Sequence, residues 1–148
     1  MFHQKQIGSY CRCHALNNLI GKELIKLKEF DNYCDEFDSK NNFKVGSSKN
    51  NHLFYNNGGT DNIFGYILKR KGINVKMHHY DFYKVKNINC KENNGFGYII
   101  YNRGHTYCVR NLNGERWLID SMKRNTQKMY TLNSIKKKGI GVIYVEKL

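Results

Sequence analysis

The sequence predicts an α+β fold, with N-terminal helices packed on a C-terminal antiparallel sheet. Three observations point there. As far as Gly72, apolar residues recur at helical spacing, whereas from Ile73 onward they fall in short β-rich runs. Between two of those runs stands Asn113-Gly114, the strongest hairpin signal in the chain. With 148 residues, 40% hydrophobic and 14% aromatic, and no linker or internal repeat, the chain suits one domain over residues 1–148 with its own core.

Residues 10–20 read as the first helix. Ser9 is placed to cap it, Leu16, Leu19 and Ile20 form an apolar stripe, and Gly21 can end it. Residues 23–38 read as a second helix, with Leu24, Leu27, Phe30, Tyr33, Cys34 and Phe37 on one side. The Ser-, Asn- and Lys-rich stretch 39–57 reads as loop. Asp61 to Lys71 form a third helix closed by Gly72. Strands are expected at Ile73–His79, Gly97–Tyr101, Thr106–Leu112, Arg116–Asp120 and Val142–Glu146, with a short helix near Leu132–Lys138.

Charge and cysteines bound the function. The formal net charge of +13 favours an anionic partner. The lysines are scattered, however, and read as a solvated surface. The densest runs, Lys69-Arg70-Lys71 and Lys136-Lys137-Lys138, fall at expected helix ends. There is no recognised nucleic-acid motif and no Gly-rich phosphate loop. Five cysteines, an odd number, and no apolar N-terminal signal segment predict reduced thiols and an intracellular location, in cytoplasm and/or nucleus. No apolar run approaches the roughly 20 residues of a membrane span.

The stretch Cys11-Arg12-Cys13-His14 admits three readings. A zinc site needs about four ligands, usually in two spaced pairs, and the spacing here does not supply them. A packing thiol suits Cys13. At about 100° per residue it falls beside Ile20, while Cys11 lies well away from the stripe. Cys34 and Cys108 share the packing reading. A nucleophile suits Cys11, in the first helical turn, where the dipole and unpaired N–H groups favour thiolate.

A nucleophile needs a base, an orienter and oxyanion donors. If Asn113-Gly114 is the turn, Leu112 faces Glu115 and Tyr107 faces Asp120. His105, two residues along on the same strand face, is then the diagonal neighbour of Asp120, about 7–8 Å away at the backbone. A histidine and an aspartate can hydrogen-bond across that gap. Gln6 supplies a side-chain amide that, with the Cys11 backbone N–H, can donate to an oxyanion.

These residues resemble the Josephin family of papain-like cysteine deubiquitinases. The family pattern F-H-x-x-Q-x-x-x-x-C-x-x-H-x-L-N-N-L reads here as Phe2, His3, Gln6, Cys11, His14, Leu16, Asn17, Asn18 and Leu19, with no gap. Gln6 and Cys11 are five apart, against six in papain and its close relatives. The segment GGTDNIFGYILKRKGINV is similar to a second family block through Gly58, Asp61, Leu68 and Gly72, with Gly59 in place of the usual Asn. GHTYCVRNLNGERWLIDSM resembles a third, with Thr106 replacing Trp and Leu118-Ile119 where Asn-Leu is common. GVIYVEKL resembles the closing strand, and residues 22–57, where the family carries a helical arm, match least.

The resemblance implies a papain-like fold and hydrolysis at the ubiquitin C-terminal glycine. Cys11 would be the nucleophile, His105 the general base and acid, Asp120 its orienter and Gln6 the oxyanion donor. It requires no metal or cofactor. The expected partner is ubiquitin or polyubiquitin conjugates, with the chain monomeric and no membrane involved. His14 belongs to the family pattern outside the catalytic set and is expected to make a structural hydrogen bond. Five acids, Glu29, Asp31, Asp35, Glu36 and Asp38, could hold the arginines of the ubiquitin tail, or simply form a solvated helix face. The alternatives are another papain-like peptidase or acyltransferase and, further off, a basic nucleic-acid-binding module.

Overall fold

The computed structural model describes residues 1–49, 60–80, 95–102, 104–129 and 141–148. Among the described residues, three helices pack on a six-stranded antiparallel sheet, the α+β arrangement expected. The helices are α1 (Cys11–Ile20), α2 (Leu27–Lys40) and α3 (Ile63–Arg70), the last entered through a 3-10 turn at Thr60–Asn62. The strands are β1 (Val75–Tyr80), β2 (Gly95–Asn102), β3 (His105–Leu112), β4 (Glu115–Ile119), β5 (Gln127–Met129) and β6 (Gly141–Lys147), in the order β1-β6-β2-β3-β4-β5.

Sequence pattern explains the strand positions. β2 and β6 are central, and their runs Tyr98-Ile99-Ile100-Tyr101 and Val142-Ile143-Tyr144-Val145 are buried throughout. A strand covered on both faces carries no polar alternation. Alternate residues divide between two apolar clusters. One contains Ile99, Tyr101, Cys108, Ile119, Ile143 and Val145 together with the helices. The other contains Tyr98, Ile100, Val109, Met129, Val142 and Tyr144.

The helix α1 departs from the simple amphipathic picture. Residues Cys11 through Leu19 are all buried, so the helix has no solvated face. It packs against β3, with further contacts to β2 and β4. Its buried polar residues have specific partners. Asn17 donates from Nδ2 to the Ile25 carbonyl at 2.9 Å and accepts the Ile25 N–H at 3.1 Å. The Arg12 guanidinium donates to the carbonyls of Ser48 at 2.9 Å and Thr60 at 3.2 Å, and lies over the Phe64 ring. Satisfied polar groups of this kind are the condition for burying them.

The helix ends refine the expectations. Ser9 does not cap α1; the helix begins one residue later, with Tyr10 at the cap and no side-chain bond there. Gly21 ends it as expected, at φ 88°, with its N–H on the Asn17 carbonyl. The second helix lies later than expected, at 27–40 rather than 23–38, yet its stripe is right: Phe30, Cys34 and Phe37 are buried. Its later end traces to Asp38. Its carboxylate accepts the Ser48 hydroxyl at 2.5 Å and the backbone N–H groups of Gly46 and Ser48, tying the returning chain to the helix end. The three-residue β5 carries too little pattern to have been foreseen. The helix expected at Leu132–Lys138 and the loop beyond residue 49 lie outside the described residues, as does Cys90.

Candidate active site

The hairpin register is the one the turn dictates. Leu112 pairs with Glu115 and Cys108 with Ile119, through a turn in which Asn113 and Gly114 take φ 53° and 79°. Asp120 follows the last β4 residue, and His105 is the first of β3. The diagonal contact forms: His105 Nε2 and Asp120 Oδ1 are 2.6 Å apart. The Asp120 carboxylate also accepts the Met122 N–H at 2.9 Å, and its backbone carbonyl accepts from His3 Nε2 at 2.8 Å. The Tyr107 ring stacks on the imidazole, with centroids 5.9 Å apart.

With Nε2 committed to Asp120, the other ring nitrogen, Nδ1, is buried and has no closed hydrogen bond. The Cys11 thiol lies against this imidazole. Burial alone would lower the His105 pKa, but the Asp120 hydrogen bond, the Cys11 thiol and their negative charges raise it to about 9. On Asp120 burial acts the opposite way, yet the His105 hydrogen bond and the Met122 N–H hold the carboxyl below its usual range. An imidazole paired in this way with Asp120 stabilises, as imidazolium, the proton it takes from the neighbouring sulfur, which supports a nucleophilic Cys11.

The two neighbouring cysteines are chemically distinct. Cys13 is fully buried in the core cluster, its thiol aimed at the Ile25 carbonyl at 3.8 Å, and burial pushes its pKa up to about 12. Cys34 and Cys108 are also buried core thiols pushed upward by desolvation. Cys11 is as well covered, at 2% exposure, but lies outside the core cluster. What separates it from Cys13 is therefore its neighbour, His105, and not solvent exposure. Among the described residues no group of three or more His, Cys, Asp or Glu could hold a metal ion.

Gln6 stands beside the acid's turn. Its N–H donates to the Ser121 carbonyl at 2.8 Å, and its Oε1 accepts the Ser121 hydroxyl at 2.5 Å. Nε2 donates one hydrogen to the Gly8 carbonyl at 2.8 Å. A carbonyl can only accept, so these partners fix which end of the amide is nitrogen. An amide nitrogen carries a second hydrogen, and the first-turn N–H groups of α1 have no partner inside the helix.

Sequence reasoning missed three contributors: Ser121, which orients Gln6; Gln4, which ties the N-terminal segment to α1; and Tyr107, which stacks on His105. Ser121 and Gln4 were hidden because their partners are distant in sequence or too ordinary in type. Tyr107 had a signal, since it shares the strand face of His105.

The five acids of the second helix find partners within the fold. Glu36 pairs with Lys40 and Arg70, Glu29 with Lys71, and Asp38 closes its own loop. Asp31 accepts the Tyr10 hydroxyl at 2.7 Å, and Asp31 and Asp35 share Lys49 at 3.8 and 3.7 Å.

The Josephin family profile matches residues 6–145, which spans all four candidate site residues. No curated protein matches the chain. Among solved structures, the fold is similar to that of a double glycine motif protease from an AMS/PCAT transporter in complex with the leader peptide. That match has a TM-score of 0.54 at 16% identity and covers 99% of this chain and 91% of the other. The chain, whose helices and sheet form a papain-like cysteine-protease fold, therefore belongs to the Josephin family.

Proposed function

We propose that the protein is a cysteine-dependent deubiquitinase acting as one catalytic domain on ubiquitin or polyubiquitin conjugates inside the cell. The observation that carries this reading is the 2.6 Å His105–Asp120 contact with the Cys11 thiol on the same imidazole, in a chain of the Josephin family.

The chemistry follows from the geometry. Cys11 gives its proton to His105 Nδ1, the nitrogen that Asp120 leaves open. The sulfur attacks the carbonyl carbon of the ubiquitin C-terminal glycine, and the carbonyl oxygen becomes an oxyanion. The Cys11 N–H and the second Nε2 hydrogen of Gln6 donate to that oxygen. The tetrahedral adduct collapses, the lysine amine leaves with the proton from His105, and a thioester remains. Water, deprotonated by His105, then releases the glycine carboxylate and regenerates the thiol. Asp120 holds the ring orientation and supports the imidazolium throughout.

Hydrolysis of ubiquitin aminocoumarin by the wild-type chain, lost in Cys11→Ala and in His105→Ala, is the expected result. A second reading, a peptidase for another protein or peptide, draws on the likeness to a fold that also serves a double glycine motif protease. It predicts a chain inert toward ubiquitin aminocoumarin that cleaves a different substrate in a Cys11-dependent way.

A further inference from the structure

Three residues after Cys11 stands a second histidine, His14, and it is fully buried. The Ile7 N–H donates to its Nε2 at 3.0 Å. A backbone N–H can only donate, so Nε2 is an unprotonated acceptor, and the ring proton sits on Nδ1. From there it donates to Gln4 Oε1 at 2.8 Å. Both nitrogens are thus in use, and His14 is excluded as the base for Cys11.

The two partners of His14 are the informative feature. Gln4 and Ile7 lie on either side of Gln6, so one imidazole fixes the chain before and after the candidate oxyanion donor. Gln4 is held further by α1: its Oε1 also accepts from Asn17 Nδ2 at 2.8 Å. Its N–H donates to Asn18 Oδ1 at 2.5 Å, and its carbonyl accepts from Asn18 Nδ2 at 3.2 Å. On the far side, Gln6 is bonded to Ser121, the residue after Asp120. Residues 4–7 therefore bridge the helix that carries Cys11 and the turn that carries Asp120.

We infer that His14, acting through Gln4 and Ile7, is a positioning residue that aims the Gln6 amide at the site where the oxyanion forms. The inference deepens the proposed reaction and rests on Gln6 as oxyanion donor, but it does not depend on ubiquitin as substrate. Loss of the His14 side chain leaves Cys11, His105 and Asp120 in place and lets the segment carrying Gln6 shift. A displacement of about 1 Å in such a group is enough to cost a large factor in rate.

Two small reagents separate this role from a general loss of structure. Acetylation of Cys11 by p-nitrophenyl acetate forms the S–C bond through a tetrahedral oxyanion and expels p-nitrophenolate. Alkylation by iodoacetamide forms the S–C bond by displacing iodide, with no oxyanion. Cys11→Ala sets the background from the other thiols. His14→Ala is expected to slow acetylation of Cys11 about tenfold, a part of what loss of an oxyanion donor costs, and to leave alkylation unchanged. In the Gln6→Ala background, His14→Ala should add no further loss. His14→Gln, whose amide can both donate and accept, should restore most of the acetylation rate, and Gln4→Ala, at a half-buried position, should reproduce the defect in a chain that folds. Equal slowing of both reactions, full additivity with Gln6→Ala, or an unchanged acetylation rate would overturn the inference. Inertness toward ubiquitin substrates with the small-molecule pattern intact would overturn the ubiquitin reading alone.

Discussion

At the scale of residues, the difference between Cys11 and Cys13 is one of neighbours. Both thiols are buried, but one faces an imidazole and the other a carbonyl within the apolar core. Cys11→Ala is therefore expected to abolish hydrolysis, while Cys13→Ala keeps it and lowers stability by about 1 kcal/mol. A dead Cys13 variant with the fold intact would contradict the assignment. The placement of Cys11, His105 and Asp120 was legible because each rests on a local rule: a helix start, a strand parity and a hairpin turn. The role of Ser121 was not, since it depends on a contact with Gln6 across the whole chain. Ser121→Ala frees the Gln6 amide to flip and should lower kcat about tenfold without changing KM, which steady-state kinetics on ubiquitin aminocoumarin would show. An unchanged kcat would mean that the Gly8 contact alone orients the amide.

Helices and strands differ in how openly the sequence declares them. The central strands β2 and β6 announce themselves as unbroken apolar runs, and α3 by its stripe of Ile63, Phe64, Ile67 and Leu68. The end of α2 does not, because a buried carboxylate sets it and not hydrophobic spacing. Asp38 is wholly buried and holds Ser48 and Gly46. Asp38→Ala leaves those donors unpaired and should destabilise the fold by about 2 kcal/mol in a denaturant titration. A change within about 0.5 kcal/mol would show that the loop is held by Arg12, which grips the Ser48 carbonyl. The all-round burial of α1 also escaped a stripe analysis. Its polar face is filled by His14, Asn17 and Asn18, whose partners come from residues 4–7 and 25.

For the molecule as a whole, charge and pH come together. Lys40, Lys49, Arg70, Lys71 and Lys128 meet carboxylates at the surface, but the net charge of +13 already counts those acids, so the excess of cations remains. No helix among the described residues is long and apolar enough to cross a membrane. The His105 pKa of about 9 links folding to pH. The folded value lies above the unfolded one of about 6.5. Its stabilising contribution is then fully present below pH 6.5 and lost as pH rises through about 9. Thermal midpoints should fall across that window in the wild type and fall less in His105→Ala. Equal slopes in the two proteins would contradict the raised pKa. The same titration should limit the proposed reaction on the alkaline side, because a neutral imidazole cannot protonate the leaving amine. In Asp120→Ala the alkaline limb of kcat/KM should move to lower pH, and an unmoved limb would remove Asp120 from that role. The central claim is that Cys11 is the nucleophile for the ubiquitin C-terminus. Incubation with ubiquitin bearing a C-terminal electrophile, read by mass spectrometry, tests it most directly. The account predicts one ubiquitin attached at Cys11 in the wild type and none in Cys11→Ala; an unlabelled wild-type chain, or an adduct that survives Cys11→Ala, would contradict it.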